Sequence, residues 1–443
     1  MVPLFPCWNS RRLYPILPAM QLRVIPLVAI VVLLVLAWAT VVVGASLYRW
    51  GKAPLAPRGD TAAFARAARG YLEEHARGNA ALLLLDNGSI AHQHYLGSEE
   101  DVGPDTLFQL ASISKWVAAW GVLGLVEQGL VDLDAPVEQY LTRWQLPDSR
   151  YDHRGVTVRR LLSHSAGLTD RLGYQGFPDG QGLQTLEESL SGAADAADHA
   201  DAGPVRVGRR PGSRWQYSGG SYALLELLVE EVTGQNFNAY MRQAVFLPLG
   251  METASFSLEE AAATGVLAAH HGSDGALVAH RQFAATAPSS LHASAAELAR
   301  FAAAHLPGPN GEPPGRGVLS PRLIDEMLAP QVTMFGIGLW GLGPILYDLR
   351  DSGHGVFGHD GHNSPGISTT LRIDRTDGSG IMVLGSGNPH LAMELGSEWY
   401  YWKTGSLDQA ALGERLPRMA WIVLAGATAI NLVAALLRYR KRR

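Results

Sequence analysis

Two residue types that can do chemistry together stand three positions apart in Phe108-Gln-Leu-Ala-Ser112-Ile-Ser-Lys115. The stretch that follows, Trp116 to Glu127, has helical apolar spacing, so Ser112 falls at a helix start and Lys115 one turn along on the same face. A serine hydroxyl becomes a useful nucleophile when a base is held beside it. Lysine can be that base and arginine cannot, because the guanidinium does not deprotonate. Of 36 basic residues only Lys52, Lys115, Lys403 and Lys441 are lysine, and 32 are arginine. Between Lys52 and Lys403 the chain keeps lysine at Lys115 alone. A surface lysine behind an N-capping serine would produce the same spacing; lysine scarcity and the apolar surroundings favour chemistry.

The elements that must position this pair are legible around it. Asp60 is placed to cap a helix through about His75, with Phe64, Ala68, Tyr71 and Leu72 on one face. Ala81–Leu85 and Ser89–Leu96 read as strands joined at Asn87-Gly88, a strong hairpin signal. Asp134 begins a capped element, Val156–Leu162 reads as a short helix, and Tyr222–Gly234 as an amphipathic helix with a glycine stop. A further helix reaches Phe246; Ser294 and Glu297 make a capping box, and Leu319–Met327 reads as one more helix. Between Thr169 and Gly212 the chain is polar, rich in Gly and Asp and without periodicity, which predicts a long excursion over a site. Near the C-terminus, Gly355–His362, Gly366–Ile373 and Gly380–Leu384 read as strands, closed by a helix over Ala392–Trp402.

Composition sets the address. A single cysteine, Cys7, rules out an internal disulfide framework or a cysteine-built zinc site. Val24–Tyr48 carries no charge over 25 residues and Met419–Leu437 none over 19. As helices these reach about 37 Å and about 28 Å, against roughly 30 Å of bilayer core. Arg11, Arg12 and Arg23 precede the first; Arg438, Arg440, Lys441, Arg442 and Arg443 follow the second. The positive-inside rule then makes both ends cytoplasmic and everything between them outward-facing, with Trp50, Trp421 and Tyr439 as interfacial anchors. The competing reading of the first segment is a signal peptide cleaved near Val43-Gly44-Ala45; that of the second, diluted by Thr428 and Asn431, is a buried core helix. Met20 offers an alternative start. The whole chain carries −5, and without its basic tails the intervening part carries −13, which disfavours nucleic acid and anionic surfaces as partners.

Five motifs stand in register: Ser112-Ile-Ser-Lys115, Leu161-Leu-Ser-His-Ser-Ala-Gly-Leu168, Pro211-Gly-x-x-Trp-x-Tyr217-Ser218, Pro248-Leu-Gly-Met251 and Phe357-Gly-His359-Asp360-Gly361. Together they make the chain resemble the serine β-lactamase and penicillin-binding-protein-like superfamily, in the branch shared by class C β-lactamases, D-aminopeptidases and β-lactamase-like esterases. The resemblance covers roughly residues 60–402. It implies an α/β fold: an antiparallel sheet flanked by helices, with an inserted mostly helical lobe and the active site in the cleft between them. The division would be a cytoplasmic tail (1–23), a transmembrane helix (24–48), a linker (49–59), and a hydrolase domain (60–405) with its sheet at about 60–110 and 315–402 and its lobe at about 116–310. A linker (406–418), a second transmembrane helix (419–437) and a basic tail (438–443) would follow.

Carried over position by position, the resemblance makes Ser112 the acylated nucleophile, Lys115 its activating neighbour and Tyr217 the proton relay. A phenol serves in that role when a cation stands beside it, and Lys115 is the one available. His359 takes the place of the third-motif cation, the backbone N–H groups of Ser112 and His362 form the oxyanion hole, and Ser218, Gly219, Asp360 and Gly361 line the substrate cleft. No cofactor is implied. A metal site at His354, His359, Asp360 and His362 is set aside because the third motif accounts for His-x-Gly.

Two departures narrow the substrate. Tyr217-Ser218-Gly219 stands where penicillin-recognising enzymes have Tyr-x-Asn, and His359-Asp360-Gly361 where many have Lys-Thr-Gly. A neutral imidazole is a poorer anchor for a substrate carboxylate. Lys403-Thr404-Gly405 spells the missing tripeptide but lies after the strands, at the end of a helix, and is rejected as the motif. These residues predict a membrane-anchored hydrolase on the periplasmic side of the cytoplasmic membrane, acting through an acyl-enzyme on an ester, or on an amide or peptide with a small or D-configured residue. The alternatives are a cell-envelope sensor that kept the cleft but lost turnover, and a true β-lactamase.

Overall fold

Asn87 and Gly88, both with positive φ (48° and 72°), close the turn between β1 (Ala80–Asp86) and β2 (Ser89–Leu96) as the Asn-Gly pair predicts. The computed structural model of the chain describes residues 21–47, 49, 52–170, 173–178, 182–197, 203–334, 336–348, 355–440 and 443. Cys7, Arg11, Arg12, Met20, Trp50, His354, Lys441 and Arg442 lie outside the described residues.

The hairpin opens a sheet that the chain leaves and rejoins more than two hundred residues later. The returning strands are β3 (Val332–Met334), β4 (Ile337–Trp340), β5 (Ile345–Leu346), β6 (Val356–Asn363), β7 (Ile367–Asp374) and β8 (Gly380–Gly385). Their order is β2-β1-β8-β7-β6-β5-β4-β3, antiparallel throughout, so the first strand pairs with the last. All eight residues of β7 are buried, the mark of a strand covered on both faces. Helices α1 (Gln21–Leu47), α2 (Thr61–His75), α3 (Ile113–Glu127), α4 (Gly219–Thr233), α5 (Leu391–Thr404) and α6 (Gln409–Arg440) are the long ones. Asp60 caps α2 through Ala63 N, and α2 and α5 cover the sheet, with the ring of Phe64 in α2 4.8 Å from that of Trp402 in α5 and tilted to it. On the opposite face α3 packs on β6, with Trp116 edge-on to Phe357. Every residue of α3 from Ile113 to Leu125 is buried, and all but Ser114 and Lys115 are apolar, as a helix enclosed on all sides requires.

Several sequence expectations shift. Asp134 starts no α-helix; a single 3-10 turn, Val137–Gln139, follows. The helix read as Leu319–Met327 runs Pro321–Leu328, because Ser320 caps it. Helix α4 begins at Gly219, three residues before the predicted start, because Ser218 supplies the cap. The stretch 169–212 is more than a polar excursion: Thr185 and Glu188 form a capping box for a helix over Leu186–Ser191, and Tyr174, Leu190, Val205 and Val207 are buried in the core. Its apolar residues are single and aperiodic, so the pattern did not show that each reaches the core.

Ala53–Gln409 form one compact unit and the terminal segments another. In the second unit, Leu27–Ser46 and Arg415–Arg440 are long and apolar enough to cross a membrane, and almost none of their side chains is buried. That differs from the core-helix reading of the second segment. Trp38 Nε1 donates to Ile422 O at 3.2 Å, and Gly426 leaves the room its indole occupies: a Cβ there would lie 2.0 Å from Trp38 Nε1.

Candidate active site

The position of Ser112 follows from an abrupt change of backbone. Leu107–Gln109 pairs with His292–Ser294, and Leu110 N donates to Leu291 O at 2.8 Å, so the chain reaches Ala111 as a tethered strand. Ala111 then takes a left-handed conformation (φ 48°), uncommon without glycine, and α3 starts at once. Ser112 occupies the N-cap but its side chain caps nothing. Its hydroxyl is therefore available to two other groups: Lys115 Nζ lies 3.2 Å from Ser112 Oγ, and Tyr217 Oη donates to the same oxygen at 2.9 Å.

Lys115 is 2% exposed and no carboxylate pairs with it among the described residues. Its other partner is the carbonyl of Pro288, at 2.8 Å. The rings of Tyr217 and Tyr222 stand 4.9 and 5.9 Å from Nζ. A carboxylate here would fix the amine as a paired cation; a hydroxyl and a carbonyl leave it able to exchange a proton with Ser112.

Tyr217 is held by a residue to which sequence reasoning gave no role. Gln216 N donates to His164 O at 2.8 Å and Ser218 N to His164 Nδ1 at 3.2 Å, so the backbone on both sides of Tyr217 is fixed to one histidine. The His164 ring lies 4.5 Å from that of Tyr217, and Trp340 closes the group at 4.9 Å from His164 and 5.8 Å from Tyr217. Because Nδ1 accepts a backbone N–H, the ring hydrogen sits on Nε2. Burial, then Lys115 and His359, push the imidazole well below its ordinary range, so it is neutral. The signal was in Ser163-His164-Ser165, but a second-motif histidine that braces the backbone looks no different in sequence from one that reacts.

His359 lies on the same side of the sheet as Phe357, toward α3, 1% exposed and 5.5 Å from Trp340. Its Nδ1 meets Asp360 O at 2.7 Å; a carbonyl only accepts, so Nδ1 carries the hydrogen. Burial, then Lys115, push its pKa down to about 3. Nε2 is thus a bare acceptor, buried and without a partner among the described residues. Gly361 explains how β6 comes so close to Ser112: a Cβ there would lie 2.4 Å from Leu110 O and 3.2 Å from Ala111 Cβ. Strand pairing between β5 and β6 ends at Gly358, so from His359 to Asn363 that edge of β6 has no strand beside it among the described residues. Gly361 and the backbone of His362 therefore run past the start of α3 as an open edge.

Three of the residues expected to line the cleft point elsewhere. Ser218 is fully buried; its hydroxyl donates to Asp170 (2.7 and 2.9 Å) and receives Ser221 N–H at 2.9 Å, which makes it the cap of α4. Gly219 is the first residue of that helix, also buried. Asp360 faces away from His359 by strand alternation, and its carboxylate takes the buried Arg372 at 2.9 Å. Arg372 also reaches Asp408 at 2.9 Å. The side chain of His362 is exposed and parallel to His390, so only its backbone is near the serine's strand edge. Lys403 bonds Asp377 at 2.6 Å and Asp374 at 3.2 Å, and Gly405 ends α5 in the left-handed conformation (φ 78°), in keeping with its rejection as the motif.

The chain is similar to several known proteins. A family model described as Beta-lactamase matches residues 64–403. Penicillin-binding protein 4 of Amycolatopsis lactamdurans is 29% identical over 70% of this chain and 80% of its own length. Esterase EstB of Burkholderia gladioli is 33% identical over 42% of this chain and 48% of its own. Penicillin-binding protein 4* of Bacillus subtilis is 29% identical over 39% of this chain, and the match spans only 37% of that protein. Among solved structures, the octameric penicillin-binding protein homologue from Pyrococcus abyssi superposes with a TM-score of 0.61 at 24% identity over 78% of both chains. A D-stereospecific amidohydrolase from Streptomyces sp. gives 0.57 at 20%, over 76% of this chain and 98% of that one. At these identities the two structures share the fold. With the family model matching well over half its length, this chain belongs to the beta-lactamase family.

Proposed function

We propose that the protein is a membrane-anchored, outward-facing serine hydrolase that forms an acyl-enzyme on Ser112, from an ester or from an amide or peptide bond beside a small or D-configured residue. The observation that carries this reading is the convergence of Lys115 Nζ and Tyr217 Oη on Ser112 Oγ. In acylation Ser112 Oγ attacks the substrate carbonyl while its proton passes to the Lys115 and Tyr217 pair. The oxyanion is received by the backbone N–H groups of Ser112 and His362 at the open edge of β6. Tyr217 then returns the proton to the departing alcohol or amine. Water attacks the acyl carbonyl, gives its proton to the same pair, and Ser112 leaves with it.

Substrate class follows from what surrounds the serine. The bare Nε2 of His359 is an acceptor, so it repels a carboxylate where a cationic third motif would attract one. Ser218 is committed to Asp170, and no amide stands at position 219. Both features favour substrates without a carboxylate near the scissile bond over β-lactams and D-Ala-D-Ala termini. An esterase and a D-stereospecific amidohydrolase among the similar proteins support the same choice. The two apolar terminal helices, with basic residues at their outer ends, support a double anchor whose ends face the cytoplasm.

Incubating the full chain in detergent with a fluorophosphonate, followed by peptide mapping, tests the reading. Adduct on Ser112 with hydrolysis of nitrophenyl acetate, both lost in Ser112→Ala, is the expected result; undiminished hydrolysis in Ser112→Ala overturns it. Labelling without turnover of any ester or D-amino-acid amide would point to the sensor alternative, and rapid nitrocefin turnover to a β-lactamase.

A further inference from the structure

The Pro288 carbonyl that receives Lys115 belongs to a short turn, and the turn is held from behind by a carboxyl that takes no part in the chemistry above. Glu226 lies two turns into α4 and is 4% exposed. One of its oxygens accepts Ala287 N–H at 2.8 Å, and the other lies 2.8 Å from Thr286 Oγ1. The carbonyl of Thr286 in turn accepts Ser289 N–H (3.1 Å) and Ser290 N–H (2.9 Å), which closes the turn around Pro288. Its far end is tied to the nucleophile's helix, where Ser114 Oγ accepts Leu291 N–H at 3.0 Å. Lys115 has two hydrogen-bond partners among the described residues, Ser112 Oγ and Pro288 O. With one N–H held by Pro288 O at 2.8 Å, Nζ is kept where it also reaches Ser112 Oγ, 3.2 Å away.

We propose that Glu226 is a positioning residue for Lys115: its buried carboxyl fixes the 286–290 turn, and so the Pro288 carbonyl that aims the lysine amine at Ser112. This rests on the hydrolase reading above for its functional consequence. No basic residue pairs with Glu226 among the described residues, and the groups around it are acidic: Glu230 on the same helix, Tyr174 from the 169–212 stretch, and Glu187, Glu259 and Glu260 around an adjoining cavity of about 480 Å³. Burial first of all pushes the carboxyl up to about 8; in the structure it accepts from both Thr286 Oγ1 and Ala287 N–H. Glutamine keeps both contacts: its oxygen accepts from Ala287 and its amide N–H donates to Thr286 Oγ1, whose hydroxyl turns to accept. Alanine makes neither and leaves the Ala287 N–H orphaned.

The test uses the full chain in detergent with ¹³C-labelled lysine, whose four signals are assigned through Lys115→Arg. Expected are a displaced Lys115 signal in Glu226→Ala, with labelling of Ser112 slowed at least tenfold and KM for a nitrophenyl ester changed less than threefold. Glu226→Gln is expected to keep the signal and to lose less than threefold in rate. Thr286→Val removes one of the two contacts and is the second variant if the alanine variant does not fold; a displaced Lys115 signal is expected there too. An unmoved Lys115 signal in Glu226→Ala, or in Thr286→Val where the alanine variant does not fold, overturns the proposal. Because the lysine signal is read without turnover, its outcome stands apart from failure of the hydrolase reading, which would show as an unlabelled Ser112 in the wild type.

Discussion

Lys115 and Lys403 each sit in a tripeptide or tetrapeptide that spells a family motif, and they end in opposite environments. Lys115 is sealed in the core with a hydroxyl and a carbonyl for partners. Lys403 keeps 17% of its side chain exposed and bridges Asp374 and Asp377. Arg372 marks a third case, a cation 0% exposed but held between Asp360 and Asp408. A paired cation is fixed in charge and serves the fold. Only the lysine without a carboxylate can trade a proton with a neighbouring hydroxyl, so the partner, more than the motif, separates chemistry from architecture.

The largest effect that sharpens this contrast comes from exchanging lysine for arginine at both sites. Lys115→Arg puts a permanent cation in place of the proposed base, and kcat/KM for a nitrophenyl ester is expected to fall about 10³-fold, within the range for a lost general base. Lys403→Arg leaves the ion pairs intact and is expected to change the rate less than twofold; equal losses at the two sites would erase the distinction. Next is Arg372→Met, which strands two buried carboxylates. Breaking a buried pair from one side costs roughly 3–5 kcal/mol, measurable as a shift of the urea midpoint, and Lys403→Met in its more exposed pair is expected to cost no more than about 1 kcal/mol.

The smallest effect is a graded loss of stability in acid. His292, His305 and His359 are buried neutral, each pushed down to about 3 chiefly by burial. The unfolded chain binds these protons below about pH 6.5 while the folded chain does not. Their contribution is therefore fully present above that pH and is lost as pH falls toward 3. His359→Gln is expected to flatten part of this slope in urea titrations at pH 4 to 7, and an unchanged slope would mean that His359 titrates normally in the fold.

What the sequence disclosed followed the strength of local signals. Asn87-Gly88, the Asp60 cap, the Ser294–Glu297 box and the three C-terminal strands were readable because each is a short-range preference that tertiary packing reinforces. Strands β3 to β5 were missed because they are two to four residues long and interrupted by glycine and proline, below any reliable period. In the site, Ser112 and Lys115 were picked out by side-chain type and spacing and Tyr217 by the family resemblance, and the three side chains meet. The Pro288 carbonyl could not be seen, since a backbone acceptor has no side-chain signature. Asp360 and Ser218 were misplaced for another reason: adjacency in a motif says nothing of which way a side chain turns, and Arg372 and Asp170, distant in sequence, decide it.

The most direct test of the central claim is to mix the full chain rapidly with nitrophenyl acetate, quench in acid and map the acetylated peptide. The account predicts an acetyl group on Ser112 that builds up in a burst and persists longer in Tyr217→Phe, where deacylation lacks its proton relay. An acetyl group on any other residue, or none while hydrolysis continues, would contradict it.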